Sequence, residues 1–370
     1  MGIDENRDQV GLDPQPGSWA VQSPLPSQGP APQRPDSLPN SGSRSADGPA
    51  PAGQGGGAAK LSVGHFLKWL LAAAAVYPAI LGVELLLIFL VLSVLVPAGV
   101  LAVFTAPSAA LSAAASDDAS LAVFLVVEAA CLLVALPWWR HVGKRGIGLT
   151  RPAAHPSARD RRRERAGRIC AVVLLGLSLQ FIVSLVMSLA LPLFPEVAAD
   201  YEEMIEEAGI DELSLVSLLL VVVVGPILEE TLFRGIVFQF ALRAVSPAWS
   251  KDLGFWGFAG IRPSTAQFWV ANLIQAALFG LAHGNIVQGL YAFALGLVLG
   301  WVFWRTGRLS WSVGLHMCFN LSTYLVDFLM DEVVIAGLLV LALVSLAMLA
   351  GGLLLMRRHT ERSALPRAAG

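Results

Sequence analysis

The sequence has little charge. Of its 370 residues only 14% are Asp, Glu, Lys or Arg, against about 25% in an average soluble domain. That shortage excludes an ordinary soluble chain, and with 55% apolar residues and a mean hydropathy of +0.66 the composition reads as an integral membrane protein. Cysteine is equally sparse. Cys131, Cys170 and Cys318 each sit in an apolar run without CxxC spacing, which excludes a disulfide framework and a zinc knuckle and reads as three buried free thiols. No HExxH occurs, so the zinc site of soluble metalloproteases is excluded too. Lysine is nearly missing, 4 residues against 21 Arg, a bias that points to a GC-rich, bacterial genome. No period of about 20–50 residues repeats, which excludes a solenoid.

Residues 1–60 have almost no branched apolar side chains and are rich in Pro, Gly, Ser and Gln, so they form no core and read as a disordered tail. No apolar core follows a basic start, so the tail is not read as a cleaved signal peptide. Beyond it the expected architecture is all-α, a polytopic membrane protein of about eight transmembrane helices around a water-accessible cavity. The spans fall near 65–104, 119–139, 168–191 and 213–241, two more within 267–304, then 309–328 and 333–356. Pro78 and Pro97 interrupt the first, and His283-Gly284-Asn285 breaks 267–304 into a helical hairpin. Four segments follow: the tail 1–60, the first three spans over 61–212, a core over 213–330, and a last span with a short tail over 331–370.

Ten basic residues from Arg140 to Arg168 place the loop between spans two and three in the cytoplasm, and the eight acids of FPEVAADYEEMIEEAGIDE place the next loop outside. Alternation then puts both termini in the cytoplasm of a bacterial cell membrane. The lipid bilayer is the expected surrounding, and no nucleic-acid partner is expected.

Against this background GPILEETLFRG, residues 225–235, is anomalous, because one charge near the centre of a span costs about 2.5–3.5 kcal/mol even on lenient scales. Glu230 and Arg234 are spaced i, i+4 with the acid first, which pairs them on one helix face. Glu229 is rotated about 100° away, leaving a carboxylate suited to general-base work. Gly225 and Pro226 weaken the backbone one turn earlier. Phe279 and His283, in FGLAH, are again i, i+4, as are His316 and Asn320 in HMCFN. One carboxylate, two imidazoles and an amide can activate water and stabilise an oxyanion; the same Glu and His groups can instead hold a metal with an open water position. Glu84 and Glu128, single acids in apolar helices, read as helix–helix hydrogen bonds, and His65 as a solvated residue at the membrane edge.

EETLFR, FGLAH and HMCFN, in that order within about a hundred residues, resemble the EExxxR, FxxxH and HxxxN motifs of the CPBP intramembrane proteases, also called the CAAX prenyl endopeptidase or Abi family. The resemblance covers roughly 213–330. It implies an eight-helix membrane fold and an intramembrane endopeptidase that hydrolyses peptide bonds of membrane-associated or lipidated protein or peptide substrates. Carried over by position, Glu229 is the water-activating base assisted by His283, His316 and Asn320 stabilise the oxyanion, and Glu230, Arg234 and Phe279 support the site. A divalent metal such as zinc stays open as a cofactor, with Glu229, His283 and His316 as its ligands. Two other readings stand beside the enzyme: a non-catalytic interaction or bacteriocin-immunity protein of the same fold, and a proton-coupled transporter, which lacks the inverted repeat that class shows.

Overall fold

The structure, a computed structural model, describes residues 61–105, 117–142, 157–207, 214–247, 263–330 and 335–361. The expected tail 1–60 lies outside them. The secondary structure among the described residues is helical: α1 (Val63–Ala74), α2 (Val76–Thr105), α3 (Asp117–Val142), α4 (Ala158–Ala190), a 3₁₀ turn Leu191–Leu193, α5 (Pro195–Glu207), α6 (Leu215–Val245), α7 (Thr265–Ala282), α8 (Ile286–Thr306), α9 (Leu309–Met330) and α10 (Ile335–Glu361).

Among the described residues seven helical stretches are long and apolar enough to cross a membrane, which establishes an all-α, polytopic membrane protein. The expected span 309–328 exists as α9 but is not among the seven. Ser310, Ser312, His316, Asn320, Ser322 and Thr323 dilute its apolar content. Three boundaries also differ from expectation. The first long apolar run breaks at Ala75, while Pro78 sits in the first turn of α2, where its missing N–H is not needed. α4 starts ten residues before the apolar span, because Ser157 caps it by accepting from the Asp160 N–H (3.1 Å) and Glu164 pairs with Arg168 at 3.5 Å. The acidic loop expected outside contains α5, which starts at Pro195 with Glu196 in its first turn.

α6 is the central helix. Half of its most apolar stretch is buried, against 6% for Val63–Ala98, and it packs against α1, α3, α7 and α9. α4 lies between α9 and α10. Leu85, Leu86 and Phe89 of α2 and Leu339, Val340 and Leu343 of α10 are exposed, as a lipid-facing surface requires. The C-terminal end of α6 is pinned by polar contacts. Arg243 Nη2 donates to the Val142 carbonyl (3.1 Å), Gln267 Nε2 to that of Val245 (3.1 Å), and His65 Nε2 to that of Arg243 (2.8 Å). His65, expected to be solvated, therefore fastens α1 to α6.

The 267–304 hairpin turns where expected. Gly284 has φ +73°, and the Asn285 side chain caps α8 by accepting from the N–H groups of Val287 (2.9 Å) and Gln288 (3.2 Å). α7 and α8 cross so closely that a Cβ on Gly280 would lie 2.5 Å from the Gly289 carbonyl oxygen. Asn272 and Gln275, both fully buried, staple the pair through the Leu297 (3.0 Å) and Gly296 (2.9 Å) carbonyls. Gly280→Ala is expected to cost about 1–3 kcal/mol, measured as a lower unfolding midpoint in detergent.

The cysteines differ from expectation in one respect. All three are free, but only Cys131 is buried; Cys170 is exposed and Cys318 half-buried. In a helix surrounded by lipid an apolar run has an outward face as well as an inward one.

Candidate active site

The backbone of α6 is irregular where the charges lie. Leu219–Val224 and Thr231–Val237 are π-helical, and between them Gly225–Glu230 is a short α segment opening with Pro226. The Gly-Pro pair explains the first irregularity, since proline has no N–H for the α ladder and the Gly225 N–H reaches back to the Leu220 carbonyl.

Glu230 and Arg234 are both fully buried, with Arg234 Nη1 2.9 Å from Glu230 Oε1. The approach is a close ion pair but not an aligned hydrogen bond, and the remaining guanidinium nitrogens have no hydrogen-bond partner among the described residues. The Phe279 ring lies 4.1 Å from the guanidinium carbon and offers a cation–π face. Phe279 thus meets more than His283. Its centroid is 4.8 Å from the His283 ring and 5.9 Å from that of His316, both near perpendicular.

The two histidines are held differently. His283 Nδ1 donates to the Phe279 carbonyl (2.8 Å), which leaves its Nε2 as the free acceptor nitrogen. His316, 4% exposed, turns Nδ1 to Glu230 Oε1 at 3.1 Å and Nε2 to Glu229 Oε2 at 3.7 Å. The second distance is too long for a hydrogen bond and spans the gap a bridging atom would fill. Glu229 is 36% exposed at its side chain while Glu230 is sealed. The Asn320 amide donates to the Val221 carbonyl of the first π segment (2.8 Å) and keeps a second N–H.

The structure therefore unites Glu229, Glu230, Arg234, Phe279 and His316, with His283 joined to them through Phe279, while Asn320, one turn after His316 on α9, is held against Val221 of α6. No hydrogen bond or ion pair links His283 to Glu229 among the described residues. A metal fits this arrangement poorly. Among the described residues no three His, Cys, Asp or Glu side chains converge as a metal would require. Sequence reasoning missed the anchoring of Asn320 on Val221, whose only trace is the Gly-Pro pair that loosens the backbone.

Residues 211–322 match the family described as Rce1-like, type II CAAX prenyl endopeptidase Rce1-like. A Bacillus subtilis (strain 168) protein named "Putative membrane peptidase YdiL" is 28% identical over 116 residues, 31% of this chain. The match spans 39% of that relative's length. No solved structure matches.

Proposed function

We propose, from the match of residues 211–322 to the Rce1-like family of type II CAAX prenyl endopeptidases, that this chain is an intramembrane endopeptidase acting through glutamate-activated water. The carrying observation is the asymmetry of the two glutamates. Glu230 is sealed between Arg234 and His316, whereas Glu229 is partly exposed and held at 3.7 Å from His316 Nε2.

In this reading a water oxygen attacks the scissile carbonyl carbon while Glu229 takes its proton. The second Asn320 N–H and His316 meet the oxygen on which negative charge develops. His283, with Nε2 free, accepts a hydrogen bond from the same water and orients it. As the C–N bond breaks, the Glu229 proton passes to the departing amine. Glu230 and Arg234 fix His316 and do not exchange protons. The substrates would be membrane-associated or lipidated proteins or peptides, reached with both termini of the enzyme in the cytoplasm of a bacterial cell.

The test is a comparison of new protein N-termini in membranes and medium between wild type and Glu229→Gln at matched abundance. Termini that vanish in the variant support the reading and report the substrates. Identical profiles would leave a non-catalytic protein of the same fold.

A further inference from the structure

One oxygen of Glu128 does not make the helix–helix hydrogen bond expected of a lone carboxylate in a span. That oxygen, Oε2, is buried and has no hydrogen-bond partner among the described residues. It lies against α6 at Gly225, where an added Cβ would come within 3.5 Å of that oxygen and 3.0 Å of the Leu220 carbonyl. Gly225 is thus the place at which α3 brings a carboxylate onto the backbone of the central helix.

That location matters because Gly225 and Glu229 are four residues apart in one α segment and share a face. Side chains on a helix lean toward its N-terminus, so the Glu229 side chain reaches back over the turn Glu128 abuts. Glu128 is within electrostatic reach of Glu229 and of Glu84 on α2, and Tyr77 of α2 feels all three carboxylates. Orphaned oxygens recur on this side of α6. Glu229 Oε2 and Glu230 Oε2 are, like Glu128 Oε2, buried without a hydrogen-bond partner among the described residues. Buried polar atoms left so by the protein are met by internal water, which needs two or more polar partners to be held.

We infer that Glu128 is a positioning residue of the proposed reaction, a carboxylate from outside the family-matched segment that holds, together with Glu229, the water Glu229 activates. This inference rests on the peptidase reading. It assigns α3, and the glycine at position 225, to the active centre.

Two readouts test it, on the full chain. In cells at matched abundance, Glu128→Gln is expected to lower the yield of Glu229-dependent N-termini by about 10- to 100-fold, as misplacing a reactant does, and Glu128→Asp to restore most of it. A yield from Glu128→Gln equal to wild type overturns the inference, as does an aspartate variant no better than the glutamine one. The second readout needs no activity. With Cys131, Cys170 and Cys318 replaced by alanine in proteoliposomes, Glu128→Cys and Glu229→Cys are both expected to react with a water-soluble methanethiosulfonate. No labelling at Glu128→Cys overturns the shared water. If Glu229→Gln itself alters no N-terminus, the peptidase reading fails, and the labelling still decides whether Glu128 and Glu229 face the same water.

Discussion

Replacing Arg234 by leucine is expected to remove about 3–5 kcal/mol of stability, seen as a large drop in the detergent unfolding midpoint or as loss of the protein from the membrane. The cause is what the change leaves behind. Glu230 is fully buried, its Oε1 answered by Arg234 and His316 and its Oε2 by no hydrogen-bond donor among the described residues. Without the guanidinium a carboxylate stays in a low-dielectric interior with one imidazole to compensate it, and Phe279 loses the cation against its face. Glu230→Gln should be comparably harmful, since it strands a buried arginine already short of hydrogen-bond acceptors. The double change Glu230→Leu with Arg234→Leu should cost clearly less than the two single losses added together, because no charge then remains uncompensated. Strict additivity in that cycle would sink the claim that the two act as one neutralised unit.

The opposite pattern is expected at the neighbouring position. With a substrate identified from the N-terminal profiles, Glu229→Gln in liposomes should slow cleavage by about 10²–10⁴-fold, the range for losing a general base. It should move stability by no more than about 0.5 kcal/mol, as for a surface change. Glu229 is partly exposed and makes no aligned hydrogen bond that the amide would break. One position then carries rate and the other carries folding. Equal loss of stability at both would contradict that division.

Much of this was legible from spacing alone. The i, i+4 rule paired Glu230 with Arg234 and set Phe279 beside His283, and a glycine between two long apolar runs marked the hairpin turn at Gly284. Periodicity says nothing, however, about which helix faces which. That His316 stands between both glutamates, that Asn320 reaches Val221, and that Glu128 meets Gly225 are products of how α3, α6 and α9 pack. α9 shows the limit from the other side. The polar residues it brings to the proposed site are among those that lower its apolar content, so it reads most weakly as a span at the stretch the proposal depends on.

The two π-helical segments of α6 have a consequence for tracing the ancestry of this region. A π turn amounts to one residue inserted into a regular helix, and each residue turns the chain by about 100°. A relative whose helix is plain α over the stretch equivalent to Leu219–Val224 would therefore need a one-residue gap there before its carboxylates align in space with these. Aligned without that gap, an acid written beneath Glu229 would occupy the direction of its neighbour, and a base would be mistaken for a structural acid.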